Sequence, residues 1–189
     1  MSKIKLFTHT DLDGIGCAVL AYLAFGAENV DVEYCDYKDV DDKVAKFIDQ
    51  EMFDPKYDKV FITDISISKE LAYETHHTAS SIDIMLFDHH ATAEHLNKYI
   101  WATVRVTSPS TGIKTSGTKL FYQHLLLQGY FDKYDDFVCS NIRSFVEKVN
   151  DYDTWRWKEE ADLGYDGIIC KQINDLFHMY EDEASGGTR

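Results

Sequence analysis

The strongest constraint on this chain is the rhythm of its first half. Four strand-like runs, Ile4-Lys5-Leu6-Phe7-Thr8, Val30-Asp31-Val32-Glu33-Tyr34, Val60-Phe61-Ile62-Thr63 and Ile82-Asp83-Ile84-Met85-Leu86-Phe87, are separated by stretches with helical spacing. The first of these stretches, Gly14 to Phe25, is apolar and stops at Gly26. The second, Val40 to Ile48, sets Val40, Val44, Phe47 and Ile48 on one face. Ser68 can cap a third, running to about Ser80, with Glu70 and Glu74 early, where a helix favours anions. Alternation at this interval predicts an α/β fold, a mostly parallel sheet with helices on both faces. The second half reads as mainly helical, over Thr118 to Gln128, Asp135 to Val149 and Tyr165 to Tyr180.

The residues that follow the strands carry the chemistry. His9-Thr10-Asp11-Leu12-Asp13-Gly14 follows the first run, Asp64 the third, and Asp88-His89-His90 the fourth. In an open parallel sheet, ligands bind beyond the carboxyl ends of the strands. The three clusters should therefore converge at one edge. Carboxylates buried together are very costly unless cations neutralise them. Carboxylate oxygens with imidazole nitrogens suit Mn or Mg, with Fe, Co or Zn as alternatives. An Asp after a strand is commonly just a turn residue or helix cap, and Asp64 alone reads that way. A strand exit has no such need for two histidines. The clusters in order, followed by the acidic stretch at 150–153, point to a metal centre.

Other residues carry plainer readings. Ser116 and Thr118 precede an apolar helix, so capping comes first, but a helix N-terminus also holds phosphate and Lys114 and Lys119 flank this one. Trp155 and Trp157 suit either base stacking or core packing. His76, His77, His95 and His124 read as ordinary surface or packing residues. Cys17, Cys35, Cys139 and Cys170 have neither zinc-site nor redox-pair spacing and read as free thiols. The formal net charge of −14 disfavours duplex nucleic acid, whose binding relies on many Lys and Arg contacts. It leaves room for a small phosphorylated substrate, because metal ions supply local positive charge. No apolar run approaches the ~20 residues that span a bilayer, and the first residues lack a signal-peptide pattern. The expected setting is the cytoplasm, without a membrane partner.

Four segments together resemble the DHH phosphoesterase family. They are HTDLDG at 9–14, ITDIS at 62–66, FDHH at 87–90 and NDYDTW at 150–155, and the match covers residues 1 to about 157. The family includes RecJ-like exonucleases, nanoRNases, cyclic-dinucleotide phosphodiesterases and family II pyrophosphatases. The single residue between His9 and Asp11, with YDTWRW at 152–157 and QINDLF at 172–177, is similar to the oligoribonuclease B branch. The resemblance implies two divalent ions, Mn foremost. His9 and Asp11 would hold the first, Asp13, His89 and Asp153 the second, and Asp64 both. It gives Asp88 an orienting role, makes Asp151 the alternative to Asp153, and sets His90 against the scissile phosphate. The implied reaction is hydrolysis of short oligonucleotides or linear dinucleotides by water activated between the metals. The alternatives are hydrolysis of pyrophosphate or polyphosphate, and a metal-binding regulatory protein of weak activity. The expected organisation is a DHH domain over residues 1–180 and a flexible tail over 181–189, with self-association into a homo-oligomer allowed. Nothing matches the GGGH segment of the family's C-terminal substrate-binding domain, since Ser185-Gly186-Gly187 lacks the histidine. That domain is expected to be absent.

Overall fold

In a computed structural model, which describes residues 2–78, 82–159 and 168–176, the strand runs become a single sheet. Its strands are β1 (Ile4–His9), β2 (Val30–Cys35), β3 (Lys59–Thr63), β4 (Ile84–Asp88) and β5 (Ala102–Val104). Their order is β2-β1-β3-β4-β5, and every pairing is parallel. The helices are α1 (Leu12–Phe25), α2 (Val40–Phe53), α3 (Lys69–Thr78), α4 (Gly117–Leu127), α5 (Asp136–Asp153) and the short α6 (Arg156–Glu159), and residues 168–176 are also helical.

The two-residue period of the strands explains why helices cover both faces. Ile4 and Leu6 of β1, Phe61 of β3 and Phe87 of β4 share a core with residues of α1, α4 and α5. Phe7, Val60, Ile62, Ile84 and Leu86 belong to the opposite core, with residues of α2 and α3 and the 3-10 helix Ala91–Lys98. From β2 the chain passes over β1 to form β3 on its other side. That reversal opens a crevice at the carboxyl ends of β1 and β3.

The structure departs from the sequence pattern in several places, and α2 runs on from Ile48 to Phe53. β4 starts at Ile84 instead of Ile82. β5, the 3-10 helix before it and α6 carried no readable signal. β5 has only three residues, and its outer side is fixed by Asn97, whose amide donates to the Val104 carbonyl and accepts from the Val104 amide, both at 2.8 Å. Helix α5 continues beyond Val149 to Asp153 and so carries the last predicted ligand in its final turn. The flanks of the predicted helix 165–180 and the predicted tail 181–189 lie outside the described residues. Among the described residues, no helix is long and apolar enough to cross a membrane.

Phe61 is fully buried, with the rings of Phe121, Phe25 and Phe87 centred 5.0, 5.9 and 6.4 Å away. Phe61→Ala should lower unfolding free energy by about 3–5 kcal/mol. Phe53→Ala, at a residue 91% exposed, should stay within about 0.5 kcal/mol. Urea unfolding of both variants checks this, and equal losses would contradict the core assignment.

Candidate metal centre

The exit of β1 is a closed turn. Asp11 caps α1, its carboxylate accepting from the Gly14 amide at 3.0 Å. Gly14 is required there, because a Cβ would fall 2.1 Å from the His9 carbonyl oxygen. The turn brings His9 Nδ1 within 2.8 Å of Asp11 Oδ2, without the alignment of a hydrogen bond. The Asp11 carboxylate beside it holds the His9 imidazole above its usual pKa. Burial opposes ionisation of Asp11, but His9 and the Gly14 amide outweigh it and hold the carboxyl near 2.

Asp13 is buried in the first turn of α1. It accepts from the Gly117 amide at 2.6 Å and the Thr118 amide at 2.9 Å, while the Thr118 hydroxyl donates to the Asp13 carbonyl at 2.6 Å. The capping reading of Ser116 is the one this geometry matches, ahead of phosphate contact at Ser116 and Thr118. Helix α4 does present unsatisfied amides to an anion, but the anion is the chain's own Asp13. Ser116 and Thr118 are fully buried. The Ser116 hydroxyl accepts from the Lys119 amide and its own amide donates to Asn150 Oδ1. The Lys119 ammonium pairs with Glu147 at 2.7 Å. Lys114 is exposed, bridged through its backbone to Thr107.

Asp64 follows β3 with φ of 58°, in the left-handed region that a non-glycine residue seldom adopts. It is 1% exposed, and Gly117 lies so close that a Cβ there would meet Asp64 Cβ at 2.6 Å. Asp64 Oδ1 stands 3.2 Å from His89 Nε2. The same nitrogen is 3.6 Å from Asp153 Oδ2 and 3.7 Å from Asp13 Oδ2. Asp64 Oδ2, His9 Nδ1 and Asp153 Oδ2 are buried and have no hydrogen-bond partner among the described residues.

Burial, with Asp13 and Asp11 nearby, raises the Asp64 carboxyl well above the usual range and Asp153 to about 8. Burial lowers the His89 imidazole. The ligand atoms of His9, Asp11 and Asp64 lie within 4.8 Å of one another, as do those of Asp13, His89 and Asp153. Orphaned oxygens, mutually repelling carboxylates and imidazole nitrogens together make a donor set that fits divalent cations.

Ligand atoms of Asp64, Asp88, His89 and His90 also lie within 4.8 Å of one another. The Asp88 oxygens, however, are already committed. Oδ1 accepts from the His89 amide (2.7 Å), the His90 amide (3.3 Å) and His90 Nδ1 (2.7 Å), and Oδ2 accepts from the Ser66 hydroxyl. Burial opposes its charge, but these donors keep the Asp88 carboxyl below the usual range. Asp88 therefore holds the His90 ring and the backbone of both histidines. The bond to Asp88 holds the His90 imidazole above its usual pKa, and His90 Nε2 lies 3.2 Å from the Tyr37 hydroxyl. Asp151 pairs with Arg156 at 3.1 Å and belongs to none of the three clusters.

Four residues of this neighbourhood carried no assigned role in the sequence: Tyr37, Ser66, Asn150 and Arg156. Tyr37 sits just past the end of β2, so the strand-end rule that located the acidic clusters points to it as well. Trp157 stacks on Tyr152 at 5.9 Å, whereas Trp155 is exposed, with φ of 65° and the Lys158 ammonium 4.0 Å from its ring.

Known proteins share the sequence and the fold of this chain. The sequence model described as the DHH family, N-terminal domain, matches residues 3–146. Oligoribonuclease NrnB of Bacillus subtilis (strain 168) is 33% identical over 175 residues, which is 92% of this chain and 41% of that protein. A crystal structure of an uncharacterized protein from Helicobacter pylori G27 shares the fold, with a TM-score of 0.65, 18% identity, and coverage of 81% of this chain and 44% of that one. The chain thus spans less than half the length of either protein. The family match over most of the sequence, and the shared identity along nearly all of it, mean that this chain belongs to the DHH family and carries its N-terminal domain.

Proposed function

We propose that this protein is a metal-dependent phosphoesterase that cleaves phosphodiester bonds in short oligonucleotides or linear dinucleotides. The observation that supports this most is the pair of ligand sets, His9–Asp11–Asp64 and Asp13–His89–Asp153, meeting where Asp64 Oδ1 approaches His89 Nε2. The residues would hold two divalent ions, Mn foremost, with Asp64 shared. Such ions lower the pKa of water towards neutrality and stabilise charge on phosphoryl oxygens. Asp88 fixes His90 through Nδ1 and so turns Nε2 away from the carboxylate, where it can donate to a phosphoryl oxygen as charge develops. Asp13 is held in place because two amides of α4 donate to its oxygens. The oligoribonuclease relative supports the substrate class. None of Cys17, Cys35, Cys139 and Cys170 is in a disulfide, which suits a cytoplasmic enzyme.

Turnover of a labelled dinucleotide should require a divalent ion, cease with chelator and return with Mn. Full activity in protein shown by metal analysis to hold no divalent ion would refute the proposal. Faster turnover of pyrophosphate than of the dinucleotide or an aryl phosphodiester would move the reaction to phosphoanhydrides.

Variants separate the roles. Asp64→Ala should lose bound metal and turnover together. His90→Ala should retain metal and lose about 10²–10³ in kcat, as for a donor that acts on transition-state charge. Metal loss from His90→Ala would exchange the roles of His89 and His90.

The metal-free protein should lose stability as pH rises from about 5 to 8. Asp153 keeps its proton to about pH 8 when folded but releases it near 4 when unfolded. In that window the folded state binds more protons, and stability falls with pH. His9 and His90, both raised, act in the same direction, because their stabilisation is full below about 6.5 and is lost above it. His89, lowered, opposes them. The Tm of chelated protein should therefore be lower at about pH 8 than at about pH 6, and Mn should shrink or reverse the difference because ligands bind metal deprotonated. A Tm of the chelated protein that rises over this interval would contradict the charge balance described for the site.

A further inference from the structure

A groove of about 390 Å³ adjoins the metal-ligand clusters and has no part in the roles above. It opens between the segment after β2, the segment after β3 and the start of the 3-10 helix Ala91–Lys98. Buried Val40, Ile67 and Ala93 give it apolar surface. His90 and Asp88 line it on the side of the metal centre, and Tyr37 also lines it. We propose that this groove is the nucleoside subsite: it takes an uncharged base and sugar, with the Tyr37 ring as the stacking platform, while the adjoining phosphate lies at His90. The proposal rests on the phosphodiesterase reading and narrows it.

Position is the first support. His90 lines the groove and neighbours the ligand His89, so a group seated in the groove is covalently close to a phosphate at His90. Charge is the second. Among the described residues no Lys or Arg lines the groove; its titratable groups besides Tyr37 are Asp41, Asp88, His90 and His95. A second phosphate, as in pyrophosphate or a polyphosphate chain, would meet the Asp41 carboxylate and, once His90 is engaged by the first phosphate, only the His95 imidazole to receive it. A neutral nucleoside meets no such repulsion. Size is the third. The volume is at the lower end of small-molecule sites, about 300–1,000 Å³, which suits one nucleoside and not a strand.

Tyr37 supplies the recognition element. It is 59% exposed, yet its ring is not loose. The hydroxyl meets His90 Nε2 at 3.2 Å, and the ring centre lies 5.0 Å from that of His9 and 6.0 Å from that of His90, perpendicular to the latter. An aromatic ring held at its polar end and open on its flank stacks on any base, because every base has a π-face. The wall of the groove is also fixed, since Asp41 Oδ1 accepts from the Ser68 amide at 2.8 Å.

Calorimetry on the Mn-loaded full chain should show a nucleoside 5′-monophosphate binding about tenfold tighter than ribose 5-phosphate, the scale of one base–aromatic stack. Tyr37→Phe should keep that preference and Tyr37→Leu should remove it. A dinucleotide carrying 5-bromouracil should photo-cross-link to Tyr37. The ratio of kcat/KM for a dinucleotide over its abasic counterpart should fall about tenfold in Tyr37→Leu and return in Tyr37→Phe. Equal binding of the two monophosphates by the wild type, a preference unchanged in Tyr37→Leu, or a cross-link outside the groove would overturn the proposal. The two readings fail separately. Nucleotide preference without any phosphodiester turnover keeps the subsite and overturns the reaction, whereas equal turnover of the dinucleotide and its abasic counterpart keeps the reaction and overturns the subsite.

Discussion

The contact between the Asp13 carboxylate and the N-terminus of α4 organises the rest of the molecule. Two amides, at Gly117 and Thr118, converge on one buried side chain from the first turn of α1. A helix N-terminus carries roughly half a unit of positive charge, so this pairing satisfies both the orphan amides and the buried anion. It also sets where α4 lies. Gly117 comes down onto Asp64 with no room for a Cβ, and the Ser116 amide reaches Asn150 in the last turns of α5. Asp153, three residues beyond Asn150, is thereby brought to the same edge of the sheet as His89.

The carboxylates gathered there divide into two kinds. Asp11 and Asp88 have amide or imidazole donors aimed at their oxygens, and both are held below the usual carboxylate range although burial opposes it. Asp64 and Asp153 each keep a buried oxygen with no donor among the described residues, and both are raised. The contrast follows from desolvation, since an ionised oxygen removed from water is tolerated only where something positive replaces the water. Protein dipoles and imidazoles fill that role for the first pair. For the second pair the protein supplies no such partner among the described residues, so each carboxyl holds its proton or takes a cation from solution. The free oxygens thus fall one in each ligand set, Asp64 at the end of β3 and Asp153 at the end of α5.

Much of this was legible in the sequence, because strand and helix periods are local. Phe7 and Leu6, Phe61 and Ile62, Phe87 and Leu86 alternate between cores as the two-residue period requires, and strand ends then locate His9, Asp64 and Asp88. What stayed hidden depended on partners far along the chain. Ser116 and Thr118 announced a helix N-terminus, but not that its anion would come from Asp13, more than a hundred residues earlier. The last turn of α5, Asn150-Asp151-Tyr152-Asp153, has no apolar period of its own and is helical as the continuation of a packed helix. β5 lies below the length at which a period can be read, and Asn97 supplies the hydrogen bonds that hold its edge. Tyr37 belongs to no element, and only the approach of β2 and β4 to the same edge brings it to His90.

The two ligand sets therefore differ in what holds them. His9, Asp11 and Asp64 come from the ends of β1 and β3, adjacent strands paired in register from Ile4 to Thr8. Their spacing is a property of the sheet. His89 also follows a strand, but Asp153 reaches it through α5, which is tied by Asn150 to Ser116 and by the α4 amides of Gly117 and Thr118 to Asp13 in α1. The first set is preorganised by hydrogen-bonded strands and the second by helix docking. Docking of α4 and α5 is thus linked thermodynamically to any cation held by Asp13, His89 and Asp153, since a ligand that binds only the docked arrangement stabilises it. The second set is where metal occupancy and the packing of the helical half report on each other, and the first is where they are most nearly independent.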